Sequence, residues 1–192
     1  EDDENVLIEE KFFENGKCRL YDLGGEEEED NDEYVCQCQI ITEHQFTLFT
    51  ISCEGKEEAM AFSTDFVEHL TASKEDWVVV VGHHPIYAET PKDASERDDL
   101  QKYLDPILRK HHVDMYICGH IHNFQHIRVS GSDIDYVVNS AGSLARKVKP
   151  IEGTLFCSPE PGFSVCSIDK KEFNLRMIDK KGNVLHTITR KK

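Results

Sequence analysis

No apolar run in this chain reaches the roughly 18 residues that a membrane-spanning helix needs, so the sequence offers no such span. A basic stripe is missing as well. Residues 1–33 hold 15 acids and 3 bases, and the remaining 22 acids and 19 bases nearly cancel, which argues against nucleic acid as a partner. The seven cysteines are an odd number and include no CxxC pair, so neither a disulfide framework nor a zinc knuckle follows. The acids lack the alternating spacing and central glycine of an EF-hand calcium loop.

What is present is enough apolar residue for one core. At 192 residues, 39% apolar and 9% aromatic, the chain can close a single domain. Its net charge of −15 is mostly local, carried by "EDDEN" and "EEEEDNDE". Blocks of like charge repel and stay extended, so residues 1–33 read as an acidic, solvated segment and 34–192 as the folded part.

Past that segment, "EYVCQCQII" and "HQFTLFTIS" read as strands joined by a short turn, and Cys36 and Cys38 share one face of the first. A helix is predicted near residues 65–71, followed by the buried strand "DWVVVV". Leu100, Tyr103, Leu104, Ile107 and Leu108 recur at helical spacing, and Pro106 interrupts them, so a kink or a restart capped by Asp105 is expected. "VDMYICG" is the next strand. Strand, helix and strand of this length make a unit whose two strands run parallel. From residue 124 onward, short alternating runs separated by Gly, Asn and Lys turns predict antiparallel hairpins. The fold class expected is α/β, a mixed and partly parallel sheet with C-terminal antiparallel strands.

The chemistry concentrates at two strand ends. "VVVV" runs into Gly82-His83-His84-Pro85, and "DMYIC" runs into Gly119-His120-Ile121-His122-Asn123. Tips of parallel strands lie at the carboxyl edge of the sheet, where open α/β sheets bind ligands. Glycine before each histidine lets the backbone turn and approach an ion closely. Any one histidine is more often a surface or core residue than a ligand, but three in paired Gly-His turns point to metal ligation by His83, His120 and His122. Pro85 stiffens the loop and biases His84 toward an extended conformation, and of two neighbouring imidazoles one usually faces away, so His84 is the weaker candidate. His111, His112 and His126 have ordinary hydrogen-bonding or helix-end roles, and His44, His69 and His186 have no supporting context.

The blocks Val80-Val81-Gly82-His83 with Pro85, and Gly119-His120-Ile121-His122, resemble the last two signature blocks of the calcineurin-like metallophosphoesterases. The similarity is closest to purple acid phosphatases of the tartrate-resistant type, and it covers roughly residues 63–190, including "NSAGS" and "EPGFSVCSID". The resemblance implies a metallophosphoesterase β-sandwich flanked by helices. It also implies two metal ions, iron paired with iron, zinc or manganese, that activate a hydroxide for attack on the phosphorus of a phosphate monoester. His83 and His120 would ligate one ion and His122 the other, with Tyr87 and His84 bordering the substrate. An extracytoplasmic location follows from the same resemblance.

The departures are large. Family members take their remaining ligands from GDxG, GDxxY and GNH blocks in an N-terminal half, and the last two blocks have no counterpart here. "YDLGG" imitates the first, yet Asp22 stands too close to His83 for the missing blocks to fit between them. The expectation is an N-terminally incomplete domain that contributes only histidine ligands and hydrolyses phosphate esters weakly or not at all by itself. A sheet edge left bare beside "FTLFTI" or "VVVV" would offer a route to homo-oligomers. A second expectation, from a different class, is a non-catalytic scaffold that keeps a phosphatase-like core.

Overall fold

The computed structural model describes residues 6–13, 16–22, 37–43, 46–52, 70–91, 94–139, 142 and 144–192, the first four stretches as backbone. Four strands lead: β1 (Val6–Phe13), β2 (Gly16–Asp22), β3 (Gln37–Glu43) and β4 (Phe46–Ser52). They pair as antiparallel neighbours in chain order. β1 and β2 fall inside the acidic segment, and Leu20 of β2 pairs with Gln39 of β3, so one sheet continues across residue 33. Net charge hid this because the acids gather in residues 1–4 and 26–33, leaving "VLIEEKFF" and "GKCRLYD" with enough apolar and aromatic residues for strands.

β5 (Trp77–Gly82) joins β4 in parallel, and β6 (Met115–Cys118) joins β5 in parallel. The sheet closes with β7 (Phe124–Ile127), β8 (Asp135–Asn139) and β9 (Thr154–Ser158), giving nine strands in the order β1-β2-β3-β4-β5-β6-β8-β7-β9. β4 and β5 are therefore interior strands, and the bare edge expected beside them is filled by β3 and β6. The ends of this sheet are β1 and β9. β10 (Gly162–Ile168), β11 (Glu172–Asp179) and β12 (Val184–Lys191) form the second, antiparallel sheet predicted from the C-terminal turns.

Alternation along the strands builds the two cores. Trp77 and Val79 of β5 pack with Met115, Phe124 and Val137 against Phe173, Leu175, Met177 and Ile188 of the second sheet. Val80, one residue on, faces the other way and packs with Leu108, Tyr116, Tyr136 and Ile86 under the helical layer. The architecture is a two-sheet sandwich with helices on the outer face of the larger sheet.

That helical layer is α1 (Ala94–Asp99), a π-helical turn (Leu100–Leu104) and α2 (Asp105–Lys110). Proline cannot donate to the helical ladder, and the widened turn ahead of Pro106 absorbs the break before α2 restarts at Asp105. Asp105 is the first residue of α2 and Leu104, not Asp105, is its N-cap. The buried Asp105 carboxylate accepts hydrogen bonds from Tyr87, Tyr136 and Arg109. Of the helix predicted near residues 65–71, only 70 and 71 lie among the described residues, and both are helical.

Candidate metal centre

The two Gly-His turns lie side by side because β5 and β6 are parallel neighbours, with Val81 opposite Ile117. Backbone contacts fasten them together. Gly119 N–H donates to the His83 carbonyl at 3.1 Å, and the Tyr116 hydroxyl donates to the His84 carbonyl at 2.8 Å. A Cβ on Gly82 would collide with the Tyr116 hydroxyl. Glycine is thus required by close packing at the strand tip, and the same packing allows Tyr116 to hold the histidine pair.

His83, His84 and His120 gather here, one ligand nitrogen from each lying within 4.8 Å of the others. Nδ1 of His120 stands 3.1 Å from Nε2 of His83, and the ring centroids of His84 and His120 are 4.3 Å apart. Zinc binds imidazole nitrogen at about 2.0–2.1 Å, so two nitrogens roughly 3 Å apart suit one ion between them. Among the described residues no carboxylate joins this group. His122 also lies outside it. The geometry therefore assembles His84, expected beside the substrate, with His83 and His120, and sets His122 apart.

His122 was expected on a different ion from His83 and His120, and backbone conformation bears on how the two histidines of this turn are aimed. His120 and His122 both adopt positive φ, 68° and 57°. In an extended run, residues two apart point the same way, but two left-handed residues around Ile121 remove that relation. Ile121 is buried in the core and pins the turn between them. Left-handed conformations of non-glycine residues cost on the order of 1 kcal/mol and cluster at functional sites. The His83 and His84 rings are nearly perpendicular, at 88°, so consecutive residues still both reach the cluster.

Tyr87, expected beside the substrate, is held by the helical layer. Its hydroxyl donates to Asp105 at 2.9 Å and accepts from Arg109 at 3.3 Å, while its ring meets that of Tyr136 edge-on at 4.8 Å. Burial, followed by the hydrogen bond to Asp105, raises the Tyr87 hydroxyl above its ordinary pKa. Tyr87 thereby ties the loop after β5 to α2.

A second imidazole pair lies between the sheets. His126 on β7 meets Asp135 at 2.8 Å through Nε2 and His186 of β12 at 2.9 Å through Nδ1, and the His186 ring stacks on Phe156. Arg128 and Arg190 donate to the same Asp135 carboxylate. Burial alone would raise the Asp135 carboxyl, but hydrogen bonds from His126 and Arg190 and the charge of Arg128 outweigh it and hold its pKa at about 2. Burial, and then the neighbouring His126, lowers that of His186.

The sequence model for the calcineurin-like phosphoesterases matches residues 9–124. Over 128 residues the chain is 32% identical to purple acid phosphatase 4 of Arabidopsis thaliana, covering 64% of this chain and 37% of that protein. Human tartrate-resistant acid phosphatase type 5 is 30% identical over 128 residues, covering 62% of this chain and 38% of its own. This chain thus spans about a third of the length of such relatives. Among solved structures, the Plasmodium protein titled "GAP50 the anchor in the inner membrane complex" superposes with a TM-score of 0.66 at 23% identity, over 82% of this chain and 54% of its own. Purple acid phosphatase PPD1 of yellow lupin superposes with a TM-score of 0.65 at 16% identity, over 80% of this chain and 32% of its own. At these identities the two structures speak for the fold.

Proposed function

The chain belongs to the calcineurin-like phosphoesterase family, and from that premise we propose that it serves metal-dependent hydrolysis of phosphate monoesters, with its histidine turns as the metal-binding part. The observation that carries this reading is the convergence of three imidazoles from two separate strand tips within 4.8 Å. Surface histidines have no reason to converge in this way, whereas imidazole groups of this kind suit zinc, iron and related ions.

His83 and His120 would hold one ion, and His84 lies within reach of the same position. His122 is the residue proposed for a second ion. A cation held by these imidazoles would supply Lewis-acid chemistry, polarisation of a phosphate oxygen and a lowered pKa for bound water. This chain's own residues do the rest: Gly82 and Tyr116 fix the histidine pair, and Ile121 seats the second turn. Two cations a few ångströms apart repel unless negative charge stands between them, and no carboxylate joins the described cluster. The chain by itself is therefore proposed to hold one ion and to turn over slowly, with iron, zinc or manganese as the resident metals of the complete site. The relatives' class also favours an extracytoplasmic location, and among the described residues no helix is long and apolar enough to cross a membrane.

A second reading, a non-catalytic scaffold, draws on the same lack of a carboxylate in the cluster. Metal analysis of the purified chain together with p-nitrophenyl phosphate hydrolysis separates the two. Bound metal and slow turnover, both lost in His120→Ala, uphold the phosphoesterase reading. A chain that takes up no metal supports the scaffold.

A further inference from the structure

Gln125 on β7 lies three residues beyond His122, and its side chain is fully buried. Its amide spends three hydrogen-bonding positions on two different loops. Oε1 accepts from the Glu89 backbone N–H at 2.8 Å, and Nε2 donates to the Glu89 carbonyl at 3.0 Å and to Asn123 Oδ1 at 2.9 Å. The orientation of the amide is forced, because a backbone N–H can only donate and a carbonyl can only accept. Glu89 lies six residues past His83, and Asn123 ends the turn that holds His120 and His122. One buried amide therefore bridges the loop after the first histidine pair and the turn that carries the second.

We propose that Gln125 is a positioning residue of the metal centre: it clamps the loop around Glu89 against the His120–Asn123 turn and so holds the two sets of imidazoles at ligating distance. The proposal rests on the metal-binding reading above. Ligands from two separate loops bind an ion tightly only when the loops are held before it arrives; groups bonded directly to ligands typically change metal affinity 10–100-fold, and Gln125, one contact further out, is assigned the lower end. Gly119 N–H to the His83 carbonyl and the Tyr116 hydroxyl to the His84 carbonyl also tie the two turns, close to the histidines themselves. Gln125 ties them through Glu89, six residues past His83. Asn123, 2% exposed, is fixed by the same contact, because its oxygen must face the Gln125 amide.

The test compares wild type with Gln125→Leu and Gln125→Glu in two measurements: zinc affinity by calorimetry and hydrogen exchange at the Glu89 amide. Gln125→Leu keeps the volume and removes every hydrogen bond, and it is expected to weaken zinc binding about tenfold and to speed Glu89 exchange. Gln125→Glu separates positioning from packing. Burial raises the pKa of a carboxyl placed here. Protonated, it keeps one donor as well as an acceptor, whereas ionised it accepts from the Glu89 N–H but cannot donate to its carbonyl. Its zinc affinity relative to wild type at the same pH is therefore expected to be highest at pH 5.5 and to fall toward the leucine value by pH 9. Equal zinc affinity for wild type and leucine variant, or a glutamate-to-wild-type ratio that does not move between pH 5.5 and 9, overturns the proposal. A wild-type chain that binds no zinc contradicts the function proposed above instead. Glu89 exchange then decides the clamp alone, faster exchange in the leucine variant upholding it and unchanged exchange overturning it.

Discussion

Two groups of imidazoles in this fold use the same side chain in opposite ways. His83, His84 and His120 sit on turns at strand tips, exposed or half-buried, with one member in a left-handed conformation and, among the described residues, no carboxylate in their group. His126 and His186 lie between the sheets on regular strands, with Asp135, Arg128 and Arg190 completing their contacts. The first group brings nitrogen lone pairs together, and among the described residues its cluster includes no carboxylate. The second has an ionised carboxylate and two guanidinium groups in direct contact. That difference is why the cation proposed above is placed at the first group.

The comparison breaks first at His120. Replacing it with alanine should lower zinc affinity at least 100-fold in calorimetry, because one of three converging nitrogens is lost, while leaving the urea midpoint nearly unchanged. The same substitution principle applied to the second group should do the reverse. Asp135→Asn removes the charge that offsets two guanidinium groups and should cost about 3 kcal/mol in urea unfolding without altering zinc uptake. If either variant moved both quantities equally, the two groups would not be the separate devices described.

Gly82→Ala tests the packing beneath the first group. Its new methyl would meet the Tyr116 hydroxyl, so a loss of roughly 1–3 kcal/mol is expected in urea unfolding, partly relieved in the double variant with Tyr116→Phe.

Acid should weaken the second group in two steps. His186 has a folded pKa below its ordinary value, so the stability that depends on its neutral form is complete above about pH 6.5 and declines as pH falls through that value. Asp135 is likewise depressed, from 3.8 to about 2, so its contribution, on the order of 2 kcal/mol, is complete above about pH 4 and is lost between there and pH 2. Urea midpoints from pH 7.5 to 5.5 should fall slightly in wild type. His186→Gln should flatten that first step and leave the second.

Much of this was legible in the chain itself. The valine run of β5, the apolar stripe from Leu100 to Leu108 and the alternating C-terminal runs each follow a local period, and the elements formed where the period placed them. Glycine before histidine at two strand tips marked the site for the same local reason. What escaped depends on contacts distant in sequence or on torsion angles that no residue type announces. Positive φ at His120 and His122 is uncommon for histidine, so nothing in "GHIHN" foretold that His84 would stand with His83 and His120 while His122 stood apart. His126 and His186 are 60 residues apart and meet only because the second sheet packs on the first. Asp105, expected as a helix cap, was taken by two tyrosines and an arginine. Charge density concealed β1 and β2 because it averaged over residues that the strands do not use.

The most direct measurement is the zinc content of the purified chain, with X-ray absorption to identify the ligands, repeated on His83→Ala, His120→Ala and His186→Gln. One zinc per chain in an imidazole shell, lost in the first two variants and retained in the third, is the predicted result. Zinc that survives the loss of His83 and His120, or depends on His186, would contradict the assignment of the strand-tip histidines to a metal.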